Sequence, residues 1–205
     1  MRATNERVPV SAFLPMLRTM VNVPLEPLME SAVVEAAIVF CRKSNVLLHQ
    51  REMAHVYHGQ TISLLAKSGM NRRTRGLLKS SKLLSITANC DGITLESGKD
   101  YRQLSLDEVY FLKAFDDVVI NCVMEPLTGT SYVPASLLDD WEAGICSGAA
   151  KTLLLQPDKD WSDPSLAVYY EREFKEAIRD AARWRLEASP NVMFTPNARR
   201  KREFF

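Results

Sequence analysis

Four cysteines (Cys41, Cys90, Cys122 and Cys146) are spread along the 205 residues, and no two form a C-x-x-C pair. That spacing argues against a zinc knuckle or a dithiol redox motif and fits a reducing compartment, where cysteine serves as a small apolar residue. The eight glycines are scattered and none opens a G-x-x-x-x-G-K loop, so a P-loop is excluded. HExxH is absent as well. The formal charge is only +1, so the chain has no global attraction to a polyanion and any electrostatic role must be local. Near the N-terminus the apolar run is interrupted by Pro9, Pro15 and Arg18 and leads to no small-residue cleavage site. Neither a signal peptide nor a membrane span is expected, and the chain reads as a soluble protein made in a cytoplasm.

An apolar fraction of 46% over this length is enough for a core without disulfides or metal. Helical periodicity marks four segments. Residues 11–20 have Ser11 as a candidate N-cap. Residues 26–47 repeat Leu28, Ala32, Val33, Ala36 and Phe40, with Pro27 in the first turn. Residues 134–155 carry Leu137, Leu138, Trp141, Ile145, Ala149 and Leu153. Residues 164–188 begin at the cap pair Asp163-Pro164 and carry Ala167, Tyr170, Phe174, Ile178 and Ala181. Glu171 with Lys175 and Glu176 with Arg179 are spaced to pair on its wet side.

Between the helical pairs, residues 50–125 alternate short β-prone runs with turn signals at Asp91-Gly92 and Ser97-Gly98, which reads as roughly four to six short strands. The expected fold class is α+β, mainly α: a helical bundle of about four helices with a β-rich insertion. Residues 1–188 form the domain, and 189–205, with two prolines and no periodicity, form an extended C-terminal arm.

Three groups invite a catalytic or metal reading. Gly144-Ile145-Cys146-Ser147-Gly148 has the spacing of a nucleophile elbow, but "SLLDDWEA" before it is amphipathic helix, and an elbow needs a strand there. As helix, Gly144 and Gly148 each cost about 1 kcal/mol against alanine, a cost that fits close approach of two helix backbones. His49, Glu52, His55 and His58 recur at every third residue. Such steps drift by about 60° each around a helix, so the four share no face, and solvated or hydrogen-bonded histidines are expected. The pairs Asp116-Asp117 and Asp139-Asp140 sit near element ends, where acids are common. Nothing assembles into nucleophile, base and oxyanion site, so no enzyme, cofactor or metal is expected.

Two basic clusters stand out. "KSGMNRRTRGLLKSSK" carries Lys67, Arg72, Arg73, Arg75, Lys79 and Lys82 and no acid. It reads as a surface loop suited to nucleic acid or an acidic protein wall. The C-terminal stretch joins Arg199, Arg200, Lys201 and Arg202 to Phe204 and Phe205, with Met193 and Phe194 upstream. Disordered tails are poor in aromatics, so this one is expected to dock on a neighbouring subunit or a partner.

Three stretches carry a resemblance. They are "VPLEPLMESAVVEAAIVFCRKS", "VYHGQTISL" and "VMEPLTGTSYVPASLLDDWEAGICSGAAKTLLLQPDKDWSDPSLAVYYEREFKEAI". Over residues 10–185 the chain resembles the head-to-tail adaptor (connector) proteins of tailed bacteriophages. The telling part is the Pro-bounded helix with Ser147-Gly148-Ala149-Ala150, then Trp161-x-Asp163-Pro164 and a Tyr/Phe-striped helix.

The resemblance implies a virion protein at the head–tail junction, forming a closed homo-oligomeric ring of commonly about twelve copies beneath the portal protein. Such a ring extends the channel for double-stranded DNA and offers a platform to the next tail or nozzle protein. Ser189–Phe205 would be the portal-docking arm; the loop 67–82 has no counterpart in the family, and in such a ring it would line the DNA channel or meet the next tail component. Ordering an arm costs about 1–2 kcal/mol per residue, and each buried phenylalanine returns about 1.5–3 kcal/mol. One arm would therefore bind weakly and many together firmly. Two other classes stay open at this point: a nucleic-acid-binding regulator using the two basic clusters, and a metal-dependent enzyme using His49, His55 or His58.

Overall fold

The computed structural model describes residues 6–65, 78–88 and 92–188. A single 3-10 turn (Val10–Phe13) runs into helix α1 (Leu14–Met20), and α2 spans Glu26–Ser44. Pro27 lies in the first turn of α2, where a missing N–H costs nothing, and Asn45 ends the helix in a left-handed conformation (φ 55°). Helix α3 (Ala135–Leu154) begins after Pro134 and is kinked at Trp141, whose φ/ψ of −132°/16° leaves the helical region. Helix α4 (Pro164–Glu187) is capped by Asp163, whose carboxylate accepts from the Ser165 and Leu166 amides at 3.0 Å.

Among the described residues, nine strands make three antiparallel sheets. Strand β1 (Arg7–Pro9) pairs with β9 (Tyr132–Pro134), tying the chain's first described residues to the entry of α3. A four-stranded sheet has β2 (Leu48–Val56) and β4 (Leu78–Ala88) on either side of β8 (Phe115–Pro126), with β5 (Ile93–Thr94) outside β4. A three-stranded sheet has β7 (Glu108–Phe111) between β3 (Thr61–Ser63) and β6 (Tyr101–Gln103). Tight turns with glycine at positive φ (Gly59 at 80° and Gly98 at 88°) join β2 to β3 and lead into β6.

The mainly-α expectation is therefore wrong. Of the described residues 44% are helical and 30% are strand, so the protein is α+β with substantial sheet rather than a helical bundle with an insertion. The reason lies in broken alternation. Strand β4 shifts register against β8 between Ser80 and Lys82 and again between Leu83 and Ser85, and β8 has Asp117 at φ 47°. Each irregularity puts the apolar side chains out of phase, so a search for period two sees fragments where long strands run.

The described residues form two cores. One gathers Phe13, Leu17, Met29, Val33, Phe40 and Leu137 with other residues of the helices. The other gathers Val56, Ile62, Ile86, Val109, Phe111 and Ile120 from both larger sheets. Strand β8 passes between them. It alternates over Val118–Asn121 and is then buried without a break from Cys122 to Pro126, where α2 packs against it.

Candidate functional site

The interface between α3 and α4 is built on glycine. A Cβ at Gly144 would overlap the Cβ of Ala177, and one at Gly148 would lie 2.7 Å from the ring of Phe174. Only residues without a side chain let these backbones approach so closely. Around the contact, Phe40 meets Trp141 at 5.7 Å and Phe174 at 6.4 Å between ring centres. Cys146 lies within this packing. It is fully buried in helix, with its thiol 3.6 Å from the Phe13 carbonyl oxygen, and burial followed by nearby Glu142 pushes its pKa up to about 12. It lies inside α3 rather than at a strand-to-helix turn, so the elbow geometry is absent at this cysteine. Burial likewise raises Cys41, and it takes Cys122 up to about 11. All three are thiols at neutral pH rather than thiolates.

The histidine series does not converge. His49, Glu52 and His55 lie along β2 and His58 in the turn beyond it; His55 pairs with Asp116 across the strands and meets Tyr57 edge-on. Among the described residues no group of three or more His, Cys, Asp or Glu could hold a metal ion.

The basic cluster divides. Lys67, Arg72, Arg73 and Arg75 lie outside the described residues, whereas Lys79 and Lys82 belong to β4. Lys79 is not a free surface cation. Its ammonium is 3.2 Å from Glu125, its direct partner in the strand register. Residues Met193, Phe194, Arg199, Arg200, Lys201, Arg202, Phe204 and Phe205 also lie outside the described residues. At the end of α4, Trp184 is 52% and Leu186 55% exposed, and Trp184 is set edge-on to Trp141 of α3.

Two buried charged centres escaped the reading of the sequence. Glu125, fully buried, accepts from Arg42 Nε at 2.8 Å and Nη2 at 2.7 Å as well as from Lys79. This pairing lifts the Arg42 guanidinium above its ordinary value. In the sheets, the Arg51 side chain points inward and donates to the Ser63 carbonyl, while Ser63 Oγ donates to the buried Asp107 carboxylate at 2.9 Å. The available signal was a lone acid after the apolar run "VVINCVM" and a lone arginine in β2. Neither has a spacing rule that announces it.

No protein-family model matches the chain, and no curated protein matches it significantly. Among the described residues no helix is long and apolar enough to cross a membrane.

Proposed function

We propose that this protein is a structural subunit of a tailed-bacteriophage virion: a head-to-tail adaptor that assembles as a ring under the portal, extends the DNA channel and receives the tail. The reading makes it a non-enzymatic protein of the head–tail junction. The observation that carries it is the pair of exposed apolar side chains at the end of α4. A helix of 24 residues, about 36 Å long, presents Trp184 and Leu186 to solvent immediately before the Met/Phe- and Arg-rich residues 189–205. Exposed aromatic and aliphatic groups at the end of a helix suit a contact completed by another chain. Two further features support the reading. The segment that carries the resemblance folds as one close-packed hairpin, α3 with α4. The described cysteines, held as thiols by burial, suit a scaffold better than a nucleophile.

The test is native mass spectrometry of the full chain and of a chain truncated after Ala188, each alone and mixed with a portal ring. Stoichiometric loading of the full chain, weakened by truncation, supports both the adaptor and its arm. A monomer indifferent to the portal overturns the proposal. In that case DNA affinity measured across salt concentrations would report a nucleic-acid binder by a steep negative slope.

A further inference from the structure

Strand β4 is irregular where a regular strand would do. Between Ser80 and Lys82, and again between Leu83 and Ser85, two residues of β4 span one step of β8. A bulged strand has a neighbouring register close at hand. Absorbing the first irregularity would slide Ser80 opposite Glu125 and Lys79 opposite Pro126, and would turn every side chain of 78–80 to the other face. Something must disfavour that slip, and backbone pairing alone does not.

We propose that Glu125 is a register lock for β4 on β8, and that the same carboxylate seats α2 on the pair. Lys79 and Glu125 are direct cross-strand partners, one step from the first irregularity. The Glu125 carboxylate takes both hydrogen bonds of the Arg42 fork and the Lys79 ammonium, and is itself fully buried. The slipped register would remove Lys79 and set a hydroxyl against a buried negative charge that only Arg42 then neutralises. The two cations differ in kind from the carboxylate: Arg42 is 53% exposed and Lys79 34%. Each can be solvated when released, whereas Glu125 cannot. The penalty for the wrong register therefore falls on the acid.

This assigns the charges a use that stability does not explain. A buried ion pair contributes little net stability against an apolar replacement, and its best-attested role is to specify one arrangement among near alternatives. The lock is independent of the adaptor reading. It concerns how the sheet lobe and the helices are held together, whatever the chain assembles with.

The test is hydrogen exchange followed by mass spectrometry on Lys79→Met, Lys79→Arg and Arg42→Met, beside the unmodified chain. Lys79→Met leaves the Arg42 fork in place and is expected to speed exchange in 78–83 by about ten-fold or more while α3 keeps its protection. Lys79→Arg, which retains the charge, is expected to restore protection in β4. Arg42→Met is expected to loosen the last turns of α2 and residues 122–126 instead. Unchanged exchange in β4 of Lys79→Met would overturn the lock. So would acceleration spread evenly over all elements, or a Lys79→Met chain that fails to fold, because either would make the pair a source of global stability only.

Discussion

Phe40 and Phe111 are each fully buried, one among the helices and one among the strands, yet their surroundings differ in one respect. Every buried charged group among the described residues, Arg51, Asp107 and Glu125, lies in or beside the sheets. The buried polar groups of the helices are serines, and both bond within their own helix: Ser44 Oγ donates to the Phe40 carbonyl at 2.7 Å and Ser147 Oγ to that of Ala143 at 2.8 Å. The helices satisfy their own backbones and can offer each other wholly apolar or glycine surfaces, so shape alone closes that core. The sheets instead bury charged side chains with partners of their own: Glu125 with Arg42 and Lys79, Asp107 with the Ser63 hydroxyl, and Arg51 with the Ser63 carbonyl. Arg51 also points inward from β2, an edge strand of its sheet, and an inward charge discourages a further strand from pairing there. The helical body should therefore answer to changes of volume, and the sheet lobe to changes of charge as well.

The strongest way to break this comparison is to open a cavity on each side in turn. Phe40→Ala and Phe111→Ala should each cost about 3–5 kcal/mol. Trp141, Trp161 and Trp184 are the chain's three tryptophans and all lie in the α3–α4 hairpin or its turn, so fluorescence reports the helical body alone. Because β8 is buried against α2 and held by Glu125, the urea midpoint seen by fluorescence is expected to fall in both variants. A fluorescence transition that ignores Phe111→Ala, while circular dichroism shows the strands lost early, would mean two independent folding units.

A smaller effect tests the claim that shape closes the helical core. Gly144→Ala gains about 1 kcal/mol of helix propensity but forces the new methyl into that of Ala177, an overlap typically costing about 1–3 kcal/mol. Both groups are fixed to helix backbone, so neither can swing away, and a net loss is expected. Ala177→Gly should restore stability in the double variant beyond the sum of the single changes. Gly148→Ala should be milder, since the contact there is a Phe174 ring that can turn. If Gly144→Ala unfolds at a higher urea concentration than the unmodified chain, the close-approach account of this glycine is wrong.

The helices were legible in the sequence because period 3.6 survives over long runs and the punctuation is local. Pro27, Pro164 and Asp163 mark starts by their own chemistry, and the reading of 26–47, 134–155 and 164–188 meets helices at Glu26–Ser44, Ala135–Leu154 and Pro164–Glu187. The sheets were legible only as a region. Their order, with β8 between β2 and β4, depends on pairings tens of residues apart, and the two register shifts of β4 erase the alternation that would have announced it. The short pair β1–β9 left no pattern at all, being two three-residue strands that contain prolines. Glu125 was invisible for a related reason. Its two partners come from α2 and β4, and only the folded arrangement shows that a single acid in an apolar run has two cations waiting. The glycines of α3 stood out locally, by contrast, since a glycine inside a strong helix needs a reason.

The smallest effect separates the two regions by pH. His49 is half-buried on β2, directly opposite Cys122 in the strand register and on the same face as Arg51. Burial first, and Arg51 second, hold its pKa below the ordinary histidine value. The unfolded chain then binds the proton more readily than the folded one, so stability rises with pH through this range. The contribution is fully present above the unfolded value of about 6.5 and is lost as pH falls through the lower folded value. Urea midpoints measured at about pH 7.5 and about pH 5.5 should therefore decline toward acid, and His49→Gln should flatten that decline while leaving the higher-pH midpoint nearly unchanged. The helical body holds no histidine among its described residues, so the slope belongs to the lobe. An identical slope in His49→Gln would move the pH response elsewhere and remove this distinction between the two cores.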